Sequence, residues 1–353
     1  MMNIITPMSG ESLYETSADF SYPKLLTEIN NKTLFEYSQE AFKSLHEEKK
    51  MIYVVPQKYN DKFGIRSIIN IITNNEGVII PLQGMTAGAL CSCLLAVDEL
   101  DQNEELIITS ADHYLKDNMQ DVVEYFRSAK ADAGVLTFES VHPKWAFIKT
   151  NQDGDIIQSS EKIAISRNAI AGFFYFKKAS NFIEAAKNVI RKQSYVNDKF
   201  YISSCLNELI LEGAKIIAKP LEDNTYYNFY DVHAINSFEK NFDIDAGFNT
   251  LAEMYIDAFN TKDIVTLANL LSDNIKLIDP DVDITGKDNV IEMLKALFSK
   301  YDSLQFESKD IFVDGNTTII EFTLKLNGEL VSGVDIIEWD QEKRIASLKA
   351  YLY

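Results

Sequence analysis

The sequence predicts a doubly wound α/β domain over its first two-thirds and a separate α+β domain after it. Three observations carry that expectation. Short apolar runs at residues 3–7, 51–55, 77–81 and 106–109 alternate with helical segments, as strands do with crossover helices. Past residue 247 the order changes to three amphipathic helical stretches followed by four alternating runs. At 353 residues the chain is also long for one hydrophobic core. The expected domains are 1–242 and 243–353, joined by a linker over about 239–247 with Gly247 as its break.

Taken in order, a first strand ends at Pro7 and a polar loop, Met8-Ser9-Gly10-Glu11-Ser12, follows. A helix is expected around 34–45 and strands at 51–55 and 77–81. Gly88 opens an apolar helix running to about Leu100. The run 106–109 is short, apolar and followed by Ser110-Ala111-Asp112, which suits the interior of a parallel sheet. Ligands of such sheets collect beyond the carboxyl ends of the strands, where Asp112 falls. Two strands flank His142-Pro143, another spans 169–176, and helices cover 181–192 and 200–212. Strands at 216–220 and 226–232 complete the first domain; the tyrosines of the latter suit packing and ligand contact equally. In the second domain, helices are expected at 251–259, 263–271 and 289–298, and strands at 304–312, 317–326, 330–339 and 345–352.

Composition narrows the function. The net charge of −19 is spread over both halves, with ten basic against nineteen acidic residues from 246 to 353. Such a surface repels nucleic-acid phosphates and anionic lipid, so neither nucleic acid nor membrane is an expected partner. No apolar run approaches bilayer length, and three cysteines without metal-ligand spacing suit a reduced, cytoplasmic setting. Cys91 and Cys93 read as small buried hydrophobes. His46, His113, His142 and His233 are too scattered for a zinc site.

A phosphate-bearing ligand on so acidic a chain needs a cation and a few placed lysines. Four features supply candidates: the Gly10 loop leading to Pro23-Lys24, the Gly84-Met85-Thr86-Ala87-Gly88 turn before a helix N-terminus, Asp112 at a strand end, and Glu161-Lys162 before Gly172. These lie in the phrases YPKLLTEINNKTLFEY, GMTAGALCSCLLA, LIITSADHYL, HPKWAFIK, SEKIAIS and AGFFYFKK, which together resemble the sugar nucleotidyltransferases (nucleoside-diphosphate-sugar pyrophosphorylases) over residues 3–242. The similarity is to the capsule and lipopolysaccharide branch, and it implies a mixed, GT-A-like doubly wound sheet. It further implies Mg²⁺-dependent joining of a nucleoside triphosphate to a sugar phosphate or similar phosphorylated molecule, for surface polysaccharide synthesis. By that resemblance Lys24, Asp112 and Lys162 are catalytic, Lys24 on the triphosphate. Met8, Gly10, Gln83, Gly84, Thr86 and Gly88 bind the nucleotide, and Glu161, Lys162 and Gly172 the sugar phosphate. Asp112 holds the metal, and Asp231 falls on a second metal carboxylate.

One loop departs from that pattern. Where the family has Gly-x-Gly-x-Arg, this chain reads Ser9-Gly10-Glu11-Ser12-Leu13-Tyr14, with no second glycine, an added acid and no arginine. Val232-His233-Ala234 likewise replaces the family's Gly-Thr turn after Asp231. Either Lys24 and a neighbour such as Arg66 compensate, or the chain binds nucleotide-sugar without turning it over.

From Phe248 on, EMYIDAFNTKDIVTLANLLSDNIKLIDP, ITGKDNVIEML and SGVDIIEWDQEKRIASLKAYL resemble the ketosteroid-isomerase-like (SnoaL-like) superfamily, a cone-shaped sheet over three helices. That resemblance puts Tyr255 at the oxyanion-hole tyrosine, Asp279 at the base and Asp335 at the protonated partner. The isomerase logic is the well-known worked case for a carboxyl kept neutral by its site. Tyr255 as core, Asp279-Pro280 as a turn, and the domain as a small-ligand or homo-oligomerisation module stand beside an isomerase or dehydratase reading.

Overall fold

The computed structural model describes residues 1–15, 22–29, 31–222 and 224–353, with side chains of 241–246 set aside. The chain divides into two compact units, Met1–Ile235 and Asn236–Tyr353.

The first unit is built on a nine-stranded sheet. Its main path runs Ile156–Glu161, Ala146–Thr150, Asn168–Phe176, Glu105–Thr109, Met2–Pro7, Lys49–Pro56 and Val78–Leu82. Ala133–Glu139 pairs Asn168–Phe176 and Ile216–Pro220. Met2–Pro7 is parallel to both neighbours, Lys49–Pro56 and Glu105–Thr109. Asn168–Phe176 then runs antiparallel to Glu105–Thr109. The expected strand at 106–109 therefore sits at a parallel-to-antiparallel junction, and the sheet is mixed. Ile5, Ile52, Ile108 and Phe176 belong to one apolar layer and Ile4, Ile107, Phe173 and Tyr175 to another, as period-2 alternation buried on both faces requires.

Helices differ from expectation in three places. The helix opening at Gly88 is short, Ala89–Leu94, because bonding tightens after Ser92: Leu95 and Ala96 donate to Ser92 and Cys93. A helical pair missed by the sequence reading, Gln57–Phe63 and Ile65–Ile72, is jointed at Gly64 in the left-handed region (φ 66°). The linker expected over 239–247 lies within one helix, Val232–Asn260, and Gly247 does not break it. The strand expected over 226–232 shrinks to Tyr226–Asn228, because Val232 already begins that helix.

The second unit is a six-stranded sheet in the order Val282–Thr285, Leu271–Asp279, Ile345–Leu352, Glu329–Trp339, Thr317–Leu326 and Leu304–Asp314. Helices Ile264–Leu270 and Lys287–Lys300 contribute Leu267, Leu294 and Phe298 to the same core as Ile320, Phe322, Ile337 and Trp339. The strand Leu271–Asp279 was not foreseen; its inward Ile275 and Leu277 are separated from Leu271 by a register shift that hides the alternation. Among the described residues no helix is long and apolar enough to cross a membrane.

Candidate functional site

A cleft of about 650 Å³ opens in the first unit at the carboxyl ends of Met2–Pro7 and Glu105–Thr109. Its walls come from loops and strand ends. The loop after the first strand supplies Ser9, Gly10, Glu11 and Leu13, and the Gly84–Gly88 turn supplies Met85, Thr86 and Gly88. The strand end at 109–113 supplies Asp112, and the far side is Lys144, Trp145, Glu161, Gly172, Tyr201 and Tyr230.

Next to the cleft a lysine faces a carboxylate; of the two, Asp112 lines the cleft and Lys24 does not. Lys24, only 5% exposed, follows Pro23 in a single 3-10 turn, Lys24–Leu26. Its Nζ lies 3.8 Å from Asp112 Oδ2 and donates to the Tyr230 carbonyl at 3.4 Å. The Ser110 hydroxyl donates to Asp112 Oδ1, and the Asp112 carbonyl accepts the Phe229 N–H at 2.8 Å. The next residue, His113, is buried, with Nε2 3.1 Å from Thr109 Oγ1. Burial pushes its imidazole down to about 4, against the pull of Asp112, so it is neutral at pH 7. Gly172 backs this group at φ 65°, where a Cβ would meet His113 Nδ1 at 3.1 Å.

The nucleotide-side loops are locked together. Ser92 Oγ lies 2.7 Å from both Ser9 Oγ and Thr86 Oγ1, and Thr86 also donates to the Gly88 carbonyl at 3.2 Å. Gly88 has φ 118°, and a Cβ there would lie 2.4 Å from the Phe200 carbonyl oxygen. The Phe200 carbonyl accepts the Leu90 N–H at 3.3 Å, so that amide, expected to be free for a ligand, is taken. Met8 is buried, and its main chain bonds Val54 and the Tyr14 hydroxyl. Gln83 and Gly84 are exposed beside the cleft and do not line it.

The departing loop has a definite structure. Leu13 is buried among Met8, Tyr14, Leu25 and Phe35, so the position carries packing and no charge. Glu11 lines the cleft and pairs with Lys58 at 3.1 Å, both exposed at the rim. Arg66, expected as a compensating base, is exposed on Ile65–Ile72 and does not line the cleft.

On the far wall, Ser203 donates to Glu161 at 2.7 Å, and burial raises the Glu161 carboxyl above its usual range. Lys162 has φ 59° and stands 5.4 Å over the Tyr201 ring, whose hydroxyl raises its pKa; expected at the sugar phosphate, it does not line the cleft. Asp231 does not line the cleft. Its Oδ1 accepts the Ala234 N–H at 2.9 Å at the start of Val232–Asn260, and its Oδ2 lies 3.9 Å from Lys144. Lys144 and Lys199 line the cleft and were missed from the sequence, because a lone lysine in a turn carries no pattern.

Among the described residues no three His, Cys, Asp or Glu side chains cluster as a metal cage. Mg²⁺ commonly uses one or two protein carboxylates, with water and substrate phosphate completing its shell. Asp112, a partly exposed hard-oxygen donor lining the cleft, fits that role. Asp231 is engaged by a helix end and a lysine, and fits it less well.

In the second unit the Tyr255 hydroxyl donates to Asp335 Oδ2 at 3.4 Å, with both residues buried. Burial pushes the Asp335 carboxyl up to about 7, the Tyr255 bond opposing and Asp279 adding to the rise. Asp279 ends its strand, and its Oδ1 accepts the Asp281 N–H at 2.8 Å, so it also forms a turn.

Comparison with known proteins accords with the fold of each unit. A nucleoside-diphosphate-sugar pyrophosphorylase from Vibrio cholerae RC9 superposes with TM-score 0.58 at 21% identity, over 68% of this chain and 100% of its own. An inositol-1-phosphate CTP transferase from T. maritima gives 0.52 at 14% identity, over 67% and 92%. A UDP-glucose pyrophosphorylase complexed with UDP-glucose gives 0.53 at 15%, over 69% and 98%. No curated protein sequence matches the chain. The SnoaL-like domain family matches residues 252–348, in keeping with the α+β architecture of the second unit. The nucleotidyl transferase family matches residues 9–243, two-thirds of the sequence, and the chain belongs to that family.

Proposed function

We propose that the first unit joins a nucleoside triphosphate to a sugar phosphate, or a similar phosphorylated small molecule, and releases pyrophosphate. An oxygen of the acceptor phosphate attacks the α-phosphorus, and the bond from that phosphorus to the β-phosphate bridging oxygen breaks. The attacking oxygen carries no proton at neutral pH, so no general base is needed. Positioning and charge neutralisation supply the rate. The observation that carries this reading is the buried Lys24 ammonium 3.8 Å from Asp112, whose carboxylate lines the cleft, in a chain of −19 net charge.

Lys24 neutralises phosphate oxygens, and its carbonyl bond to Tyr230 fixes where its ammonium can reach. Thr86 and Gly88 face the base, with the hydroxyl network to Ser9 and Ser92 keeping the loops at fixed separation. Glu161, Lys162 and Gly172 address the acceptor. Asp112 would hold Mg²⁺, which when bound supplies further positive charge to the phosphates. Product feeding surface polysaccharide synthesis in the cytoplasm is the setting this reading implies.

A second reading, a nucleotide-sugar-binding subunit without turnover, draws on the loop after the first strand. Residues 8–23 hold Glu11, Glu15 and Asp19 and no lysine or arginine. For the second unit, the Tyr255–Asp335 bond favours a small-ligand pocket of the isomerase or dehydratase type. Exposed Phe312, Ile319 and Tyr351 on its sheet favour homo-oligomerisation.

The test is pyrophosphate release from a panel of triphosphates and sugar 1-phosphates, with Mg²⁺ and with chelator. Release that disappears in Asp112→Ala supports transfer. Nucleotide binding with no release from any pair supports the second reading.

A further inference from the structure

Lys144 is placed by the turn between Ala133–Glu139 and Ala146–Thr150. Its N–H donates to His142 Nδ1 at 3.1 Å, and the Trp145 N–H to the His142 carbonyl at 3.3 Å. The turn is tied from the other side by the Lys162 N–H, which donates to the Trp145 carbonyl at 2.9 Å. The side chain then lies over two rings, 4.4 Å from Tyr230 and 4.8 Å from Trp145. A flexible four-carbon chain is thereby held with its ammonium at the cleft wall.

Tyr230 connects this ammonium to the centre of the site. Its carbonyl accepts from Lys24, which faces Asp112, while its ring carries Lys144. Two lysines thus flank one residue, Lys24 buried beside Asp112 and Lys144 on the cleft wall. The counter-ion of Lys144 is Asp231, 3.9 Å away and half exposed, a loose pair that an incoming anion can replace. Replacement leaves Asp231 its own bond to the Ala234 N–H, so no acid is stranded.

We propose that Lys144 binds the phosphate of the acceptor, with Trp145 and Tyr230 as its positioning residues and Asp231 as the counter-ion it gives up. This deepens the transferase reading and rests on it only for the identity of the phosphate as an acceptor's.

The experiment uses the full chain and Trp145 as the reporter, one of two tryptophans, the other being Trp339 in the core of the second unit. Inorganic phosphate and glucose 1-phosphate are titrated at constant ionic strength, with glucose as the uncharged control. We expect saturable change in Trp145 emission with both anions and none with glucose. Lys144→Met raises the dissociation constants about tenfold or more, and Lys144→Arg keeps them within a few-fold. Equal constants in wild type and Lys144→Met, or no anion response in wild type, overturn the proposal. In turnover, Lys144→Met raises the acceptor KM and leaves the triphosphate KM within about twofold. Anion binding that depends on Lys144 without turnover would sink the transferase reading and spare this one. Turnover with an unchanged acceptor KM would do the reverse.

Discussion

Asp335→Asn isolates one buried carboxyl and its effect on stability. Asp335 is 3% exposed, and its pKa is about 7 in the folded protein against an ordinary 3.8. The unfolded chain therefore gives up this proton as pH rises past about 4, while the folded chain keeps it until about 7. Between those values the folded state binds more protons, so this group's contribution to stability falls as pH rises and levels off above about 7. About three pK units at 1.36 kcal/mol each give a span of ~4 kcal/mol. Asparagine keeps an oxygen for the Tyr255 hydroxyl and has no charge to desolvate. Relative to wild type, Asp335→Asn should gain stability progressively from pH 4 to 7, reaching ~4 kcal/mol. Asp279→Asn should lower the pH at which the gain begins to level, because its charge helps raise Asp335. The assay is urea unfolding of the full chain from pH 4.5 to 8, followed by Trp339 emission in a Trp145→Phe background. A stability difference between wild type and Asp335→Asn that stays flat across this range would show that the Asp335 carboxyl does not titrate above its ordinary range in the folded protein.

Three further outcomes follow from the first unit. Leu13→Arg restores a base to the loop but places it in an apolar cluster, and it should cost about 3–5 kcal/mol in denaturant unfolding without raising activity. Gly88→Ala forces a Cβ to 2.4 Å from the Phe200 carbonyl at φ 118°, and should destabilise by about 2 kcal/mol or more and weaken nucleotide binding in a thermal-shift titration. Cys93 and Cys205 are fully buried with thiols pushed up by burial, so a native thiol titration should count at most one reactive cysteine, Cys91, and all three after denaturation.

Legibility in the sequence tracked how local the governing interaction is. Thr317–Leu326 and Ile345–Leu352 match expectation to the residue; in the first, Thr318, Ile320 and Phe322 are buried in strict alternation. Leu271–Asp279 escaped because an irregular register breaks its alternation. The linker escaped because Gly247 costs only about 1 kcal/mol in a helix, which the 29-residue run Val232–Asn260 tolerates. In the site, Asp112 was legible from a strand end. Its partnership with Lys24 is a contact between residues 88 positions apart, which no local pattern announces. Lys144 and its two rings were not legible, because nothing in the spacing of 144, 145 and 230 announces that one ammonium lies over both rings. Glu11 read as the wrong charge for a polyphosphate; in the structure it is already paired with Lys58 at the rim.

If the first unit transfers a nucleotidyl group, the reaction depends on buried Lys24 and on the Asp112 carboxylate that lines the cleft. The most direct measurement follows radiolabel from an α-³²P triphosphate into a nucleotide-sugar, comparing wild type, Lys24→Met and Asp112→Asn. Wild type should yield labelled product with one pyrophosphate released per label transferred, and each variant should lose about 100-fold or more. Transfer that survives both substitutions at wild-type rate would contradict that dependence.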